Sequence, residues 1–270
     1  THVGISLDGD TDEMNRARKI RVAEIFENMS KLREAKISMS IICVLNKYNA
    51  DGEKLAWFGL RMWRDFGIRD IRFNPAVIVG KNKKNLELDC KSLIEIYERL
   101  YKEFWNNPEL RWYPFVDFER AFFNRNLTCV FTECDIFCTE AEMTIMSTGE
   151  LGNCLHSSEI WLRAESPSRE RYLMLQNLPQ EHGGCKNCEF WQICKGGCPA
   201  AGLKDDWRSR SRFCEVYKYF FQKNKKRFER LGLSFDFTAK SEGKRTMNGH
   251  SDEHGDKHGD KKHEDHTDRV

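Results

Sequence analysis

Residues 185–199 have the sequence CKNCEFWQICKGGCP, which places four cysteines within one short stretch. Cys185 and Cys188 form a CxxC pair, five residues separate Cys188 from Cys194, and three separate Cys194 from Cys198. A thiolate site needs soft anionic ligands within one small volume, and tight turns between closely spaced cysteines point their sulfurs inward. This stretch therefore predicts a metal-binding region in the second half of the chain.

The pattern continues on both sides of this stretch. Two glycines inside it, Gly196 and Gly197, let the backbone pass close to a bound cluster and leave amides free to hydrogen-bond sulfur. The further members of the pattern are Cys138, Gly149, Cys154 and Cys214. Ten residues separate the first of these cysteines from the glycine, and four separate the glycine from the second. The predicted metal-binding region thus runs from residue 138 to residue 214.

Composition favours metal ligation over disulfides. Nine of the eleven cysteines lie between Cys129 and Cys214, the total is odd, and no export signal is present, so we expect a cytoplasmic protein. The net charge of +2 gives no general argument for binding nucleic acid. No apolar run approaches the ~18 residues that a membrane span needs. We therefore expect neither nucleic acid nor membrane as a partner.

The whole pattern resembles the SPASM motif of radical-SAM enzymes. That motif consists of a cysteine, a positioned glycine and a second cysteine, followed after a gap by CxxC, two further closely spaced cysteines and a last distant one. Every spacing in this chain fits, and the CKGGCP segment at residues 194–199 is usual in the family. The resemblance implies a cysteine-rich SPASM domain that carries two auxiliary [4Fe–4S] clusters.

The resemblance also implies which cysteines hold which cluster. The first cluster would take Cys138, Cys154 and Cys198. The second would take Cys185, Cys188, Cys194 and Cys214. The first then needs a fourth ligand, for which Cys134 is the better candidate and Cys129 the lesser, unless that iron stays open for substrate.

Zinc is the alternative occupant of these cysteines. Four-cysteine zinc sites also use CxxC pairs, and spacing alone does not separate zinc from iron–sulfur. The two cysteines outside the region, Cys43 and Cys90, lie on a predicted strand and at a predicted helix start. Both are expected to be core or incidental thiols rather than ligands.

The first part of the chain alternates between strand and helix patterns. Apolar or alternating stretches predict strands at residues 1–8, 41–45 and 71–73. Helical stripes predict helices at about residues 22–32, 55–66, 89–106 and 211–231. A small hairpin is predicted around Gly149. Strand–helix–strand succession at this spacing implies a parallel sheet with helices packed outside it.

The first predicted strand carries a second resemblance. It contains GISLDG at residues 4–9, and Arg18 follows twelve residues after Ser6. Radical-SAM enzymes of this group have SLDG on the fourth strand of a partial (β/α) barrel and an arginine at that distance. The resemblance implies that Ser6 and Arg18 contact S-adenosylmethionine, the arginine as a cation near its carboxylate. Strand alternation also predicts that Ser6 and Asp8 point into the barrel.

The CxxxCxxC loop that defines the superfamily does not occur in this sequence. Its nearest approach starts at Cys134 and Cys138, but Ala141 stands where the third cysteine should be. In the family that loop holds the cluster that cleaves S-adenosylmethionine. We therefore expect this chain to be the C-terminal part of a longer protein and to be inactive alone. S-adenosylmethionine and a third [4Fe–4S] cluster are expected in the full-length enzyme.

The resemblances together predict an α/β fold in three parts. These are the C-terminal half of a partial radical-SAM barrel at residues 1–112, a SPASM domain at 113–237 and a disordered histidine-rich tail at 238–270. The expected function is a radical-SAM oxidoreductase or maturase that modifies a peptide or protein by hydrogen-atom abstraction. The auxiliary clusters would anchor the substrate or accept an electron, and the electron donor would be of ferredoxin or flavodoxin type.

Two points of function are left open by the sequence. Sulfatase-maturing members have an aspartate base directly after the second motif cysteine, where this chain has Leu155, so formylglycine formation is disfavoured. Glu150, His156 and Asp135 are candidate acids or bases, and none is singled out. The alternative function is a non-catalytic iron–sulfur or zinc module for electron transfer or partner docking.

Overall fold

The computed structural model describes residues 1–77, 86–123, 144–145, 149, 151–152, 181–206, 208–235 and 237. These residues belong to one compact unit, Thr1–Thr238. The remaining unit, Ala239–Val270, contains most of the predicted tail and lies outside the described residues. The division into domains at residues 112 and 113 stays a prediction.

A parallel sheet organises the first part of the chain. Its strands are β1 (His2–Ser6), β2 (Ser38–Leu45), β3 (Asp70–Pro75) and β4 (Arg111–Tyr113), side by side in chain order. The connecting helices are α1 (Val22–Glu34), α2 (Gly52–Phe66) and α3 (Cys90–Asn106). The predicted α/β class with a parallel sheet is therefore confirmed. The sequence does not predict β4, which has only three residues.

Local signals in the sequence set the ends of α2. The Asp51 carboxylate accepts hydrogen bonds from the amides of Glu53 and Lys54, which satisfies two of the donors that a helix N-terminus leaves unpaired. Gly67 ends the helix in the left-handed region at a φ of 71°. The apolar face between these ends is buried on the sheet, with Leu55, Phe58 and Met62 fully covered.

The two faces of the sheet differ in polarity. On β2 the alternate residues Ile41, Cys43 and Leu45 are buried beneath the helices, as the period of a strand requires. The opposite face of the sheet is less covered and more polar, and Ser6 at the end of β1 is exposed there. This exposed side is the one that the sequence assigns to the barrel interior.

The cysteine-rich part shares its core with the sheet and helices. Helix α4 (Phe115–Phe123) follows β4, and the long helix α6 (Cys214–Arg230) packs against both α3 and α4. Phe220 of α6 contacts the rings of Tyr101 and Phe115, with centroids 5.7 and 5.9 Å away. The Tyr101 hydroxyl also donates a hydrogen bond of 2.7 Å to Asn224. The last helix is therefore held by aromatic packing from the first part of the chain.

Between these elements lie short segments that position the cysteines. Helix α5 (Trp191–Cys194) is a single turn, and the antiparallel pair β5 (Thr144–Ile145) and β6 (Leu151–Gly152) forms the predicted hairpin. Gly149 in its turn has a φ of 82°, which favours glycine. Within the described part of the chain, no helix combines the length and apolar character of a membrane span.

Candidate functional site

Four of the predicted ligands surround one cavity. Cys185 and Cys188 lie on the loop before α5, Cys194 is the last residue of α5, and Cys214 is the first residue of α6. All four line one small cavity. Its apolar walls include Phe190, Trp191 and Phe221. The structure thus brings together the four cysteines assigned to the second cluster, while their role as ligands stays a prediction.

Backbone turns present these four thiols. The amide of Cys188 donates to the carbonyl of Cys185 at 3.1 Å, which closes the turn within the CxxC pair. The amide of Cys194 donates to Phe190 at 2.8 Å, and the carbonyl of Cys194 accepts from Gly197 at 3.0 Å. Each short spacing in the sequence therefore corresponds to one tight turn around the cavity.

Of the two glycines after Cys194, Gly196 offers its amide to a sulfur, whereas the amide of Gly197 donates to the Cys194 carbonyl. The amide of Gly196 donates a hydrogen bond to the sulfur of Cys194, which favours the thiolate form. Gly197 has a φ of 78°, and a Cβ at this position would lie 2.8 Å from the Cβ of Ser211. Only glycine therefore fits where the backbone passes between the cavity and the start of α6.

Burial favours the protonated form of Cys185, Cys194 and Cys214, because it raises the pKa of each of these three thiols. Burial, followed by the neighbouring Cys214 and Cys188, raises the pKa of Cys185 to about 11. Burial and the same neighbours raise the pKa of Cys194 well above its ordinary value. Burial also raises the pKa of Cys214. Several thiolates cannot share this volume without a positive charge between them, and a bound metal group would supply that charge in place of the protons.

Two cationic side chains also line the cavity. Arg210 and Lys218 lower the pKa values of Cys185 and Cys214 by their charge. They stand four residues before and four residues after Cys214, and Lys218 therefore lies on the same face of α6 as that cysteine. Neither residue is among those predicted from the sequence, although their four-residue spacing from Cys214 was a usable signal.

The remaining predicted cysteines lie elsewhere. Among the described residues, Cys198 does not line the cavity; it precedes the 3-10 turn Pro199–Ala201 and is half-buried. The other candidates for the first cluster, Cys129, Cys134, Cys138 and Cys154, lie outside the described residues, as do Glu150, His156 and Asp135. In the described part of the chain, no three His, Cys, Asp or Glu side chains are placed to hold a single metal ion.

The two cysteines expected to be incidental lie away from the cavity. Cys43 is fully buried in the core on β2. Cys90 begins α3, and its thiol donates to the carbonyl of Arg212 at 3.2 Å. Neither lines the cavity that the four other cysteines share.

The end of β1 is a second polar site, built around Asp8. One oxygen of this buried carboxylate accepts from the amide of Val44 at 2.8 Å and lies 2.8 Å from Nε of Arg18. The amide of Asp8 donates to Asn15, and its carbonyl accepts from Asn49, both at 2.8 Å. Burial raises the pKa of Asp8, and the Val44 amide and the Arg18 charge oppose that shift.

Asp8 pairs with Arg18, and its predicted direction into the barrel stays a prediction. The strand ends at Ser6, so the alternation that predicts an inward Asp8 stops before reaching it. Arg18 pairs with Asp8 through Nε, and it makes no other ion pair with the residues that the structure describes. Its two terminal nitrogens are thus left for a planar anionic group such as a carboxylate. The positioning role of Asp8 was missed because it depends on Val44, a residue distant in sequence.

The chain has relatives among known proteins. No protein-family model matches the chain. Two curated proteins are similar to it, both named cysteine-type anaerobic sulfatase-maturating enzyme and both from Clostridium perfringens. The protein of strain 13 is 22% identical over 253 residues, and that of strain ATCC 13124 is 21% identical over 254 residues. Each match covers 82% of this chain and 64% of the relative.

Solved structures give the same result for the fold. Native anSMEcpe with bound AdoMet and the peptide Kp18Cys matches with a TM-score of 0.58 and 19% identity, covering 85% of this chain and 68% of that one. The same enzyme with AdoMet alone matches with a TM-score of 0.57 and 20% identity, over 85% of this chain and 68% of that one.

The homologues of this chain are anaerobic sulfatase-maturating enzymes. The predicted resemblance to radical-SAM enzymes of the SPASM type is confirmed at this level. The chain spans 64% of the length of the curated relatives it matches. Its activity, cofactors and partners are therefore matters for proposal.

Proposed function

We propose that this chain is part of a radical-SAM enzyme that modifies a peptide or protein and carries two auxiliary [4Fe–4S] clusters. The observation that carries the proposal is the gathering of Cys185, Cys188, Cys194 and Cys214 around one buried cavity. Homology to sulfatase-maturating enzymes supports the radical-SAM part, and the peptide bound to anSMEcpe supports the class of substrate.

The cavity suits an anionic iron–sulfur cluster. Four thiols face a common space, the Gly196 amide donates to one sulfur, and Arg210 and Lys218 supply positive charge. Hydrogen bonds and cations near the sulfurs are the means by which proteins stabilise such clusters and set their potentials. We assign these four cysteines to the second cluster. The first would take Cys138, Cys154 and Cys198, with Cys134 as fourth ligand.

At the end of β1, the chain's own residues fit S-adenosylmethionine. The Asp8 carboxylate lies 2.8 Å from Nε of Arg18, and this ion pair keeps the guanidinium near the end of β1, where it can meet a carboxylate of that cofactor. Ser6 lies exposed on the polar side of the sheet and can offer a hydroxyl there. Bound to a third cluster in the full-length protein, S-adenosylmethionine supplies the deoxyadenosyl radical that removes a hydrogen atom from the substrate, while the auxiliary clusters anchor the substrate or accept an electron.

The substrate is a peptide or protein other than a sulfatase in this proposal. Leu155 occupies the position at which sulfatase-maturing members have their aspartate base, so this chain lacks that base. A cysteine-type maturase and this chain could thus share fold and cofactors while acting on different side chains.

Iron content of three proteins tests the proposal. The wild-type chain, reconstituted without oxygen, should bind about eight irons per chain and absorb broadly near ~400 nm. Cys185→Ala should lose about four of these irons, and Cys198→Ala should lose the other four, so that the two variants differ in their spectra. Stoichiometric zinc without iron in the wild type would instead favour a zinc module, and loss of the same cluster from both variants would refute the assignment of ligands.

A further inference from the structure

Arg212, two residues before Cys214, lies where three segments of the chain meet. Its side chain is only 17% exposed, and it reaches two carboxylates. Nη1 donates to both oxygens of Glu87, at 3.0 and 3.2 Å, shortly before α3 begins. Nη2 donates to Asp205 at 2.8 Å, in the loop that follows Cys198. One guanidinium therefore ties the approach to α3 to the loop between two of the predicted ligands.

The backbone of Arg212 joins the same segments. Its amide donates to the carbonyl of Ala201 at 2.7 Å, and its carbonyl accepts from the Cys90 thiol, at the start of α3, at 3.2 Å. Gly202 and Ser211 form an antiparallel bridge beside it. The two stretches of the loop thus lie side by side, held by main-chain hydrogen bonds as well as by the Arg212 side chain.

Each of these two stretches adjoins a predicted ligand. The amide of Ala201 donates to the carbonyl of Cys198 at 2.9 Å, which closes a turn directly behind that cysteine. The amide of Cys214 donates to the carbonyl of Ser211 at 3.0 Å, at the start of α6. Under the proposed function, Cys198 belongs to the first cluster and Cys214 to the second. Arg212 therefore connects a ligand of one cluster with a ligand of the other.

The chemistry of this junction suits arginine. A planar guanidinium can hold a different carboxylate at each of its terminal nitrogens, whereas the ammonium of a lysine is a single point charge. Because Arg212 is largely covered, solvent screens its two ion pairs less than it screens exposed ones. Arg208, in the same loop, is instead exposed and pairs with Asp206, two residues away. A pair of that kind stays within the loop and joins no distant segments.

We propose that Arg212 is a positioning residue that joins the ligand segments of the two auxiliary clusters and so fixes the separation of Cys198 and Cys214. The proposal rests on the proposed function, because that function gives these cysteines to different clusters. A fixed separation also fixes the effect of each cluster's charge and spin on the other, since both effects depend on distance. In the described part of the chain, Arg212 does not line the cysteine cavity, so it acts through the two segments and not as a ligand.

Hydrogen exchange of the metal-free chain, measured by mass spectrometry, is the first test. Arg212→Gln removes both ion pairs, and the matched control Arg208→Gln removes the same charge from the same loop. We expect the amides of Ala201 and Cys214 to exchange about tenfold faster in Arg212→Gln and less than about twofold faster in the control. Arg212→Lys, which keeps the charge and can hold one carboxylate, should lie between them.

Electron paramagnetic resonance of the iron-loaded chain, with both clusters reduced, is the second test. The splitting that the spin of each cluster causes in the signal of the other reports their separation. It should be resolved in the wild type and in Arg208→Gln. It should be smeared out in Arg212→Gln at equal iron content, because the separation then varies between molecules. If Arg212→Gln binds less iron than the control, Arg212→Lys takes its place in this comparison.

Three results would overturn the proposal. Equal exchange in Arg212→Gln and the control, or faster exchange confined to one of the two amides, would show that Arg212 does not join the segments. A splitting as sharp in the Arg212 variant as in the control would show that it does not fix the separation of the clusters. Both results would leave the proposed function intact. Absence of iron from the wild type would instead overturn the proposed function and this proposal with it.

Discussion

The end of β1 and the cysteine cavity are both buried polar sites, but they satisfy their polar groups differently. At the end of β1, Asp8 has a partner for its amide, its carbonyl and its carboxylate, and all of these partners belong to the chain. In the cavity, Cys185 and Cys194 lie among other cysteines, whose charge adds to burial in raising the pKa of both thiols.

This difference indicates how each site is organised. The hydrogen bonds around Asp8 hold its geometry before any ligand binds, which is how a preorganised cofactor site is built. The thiols are placed by short turns, yet their raised pKa values show that the anionic form needs an added cation. We therefore expect the first site to be indifferent to metal and the second to depend on it.

The largest expected effect is that of iron loading on hydrogen exchange. The turn amides of Cys188, Cys194 and Gly197 should become protected by roughly a thousandfold, since a tightly bound ligand stabilises the state that binds it by about 4 kcal/mol at 1,000 times Kd. The amides of Asp8 and Val44 should change by less than about twofold. Mass spectrometry of the exchanged protein, with and without iron, measures both regions together.

Cys185→Ala is the control for this effect, because it removes one ligand and should abolish the protection in the cavity. Equal protection of both regions in the wild type would show that the chain stabilises as one unit, and the contrast between the two sites would then be wrong.

The next effect is that of Asp8→Ala on the metal-free chain. Removal of this carboxylate leaves the partly buried Arg18 guanidinium without its opposite charge and the Val44 amide without its acceptor, and should cost about 3 kcal/mol of unfolding free energy. Urea unfolding measures it. Glu27→Ala, which breaks the exposed ion pair with Lys31, is the matched control and should leave the unfolding free energy nearly unchanged. Similar losses for both variants would mean that Asp8 stabilises the fold no more than an exposed carboxylate does.

The sequence predicts the parts of both sites that depend on neighbouring residues. The gathering of the thiols follows from spacings within one short stretch, and Gly196 and Gly197 are where the turns require them. The hydrogen bond from the Val44 amide to Asp8 was not predictable, because Val44 belongs to the next strand and is distant in sequence. Strand β4 could not be predicted from periodicity, because three residues are too few to show an alternation of apolar and polar side chains.

The smallest effect is a pH dependence of the metal-free chain, and it follows from the pKa of Cys185. A thiol has an ordinary pKa of 9.0, and burial raises that of Cys185 to about 11 in the folded chain. Below about pH 9 the thiol is protonated in both states, so its contribution to the unfolding free energy is fully present. Between about pH 9 and 11 the unfolded chain loses this proton and the folded chain keeps it, which favours unfolding. We expect a loss of about 2 kcal/mol over this range, at ~1.4 kcal/mol per pKa unit with some allowance for residual solvent.

Urea unfolding of the reduced protein at several pH values measures it, and Cys185→Ala is the control, because lysines and tyrosines titrate equally in both proteins. The difference between wild type and variant should therefore change with pH in the metal-free chain. When the wild type is loaded with iron, the contribution of Cys185 to its unfolding free energy should not change in this pH range, because the Cys185 sulfur has no proton to lose. Parallel pH curves for the metal-free wild type and variant would mean that the folded chain does not hold the Cys185 thiol protonated. The contrast between the cavity and the end of β1 in their need for a metal would then be wrong.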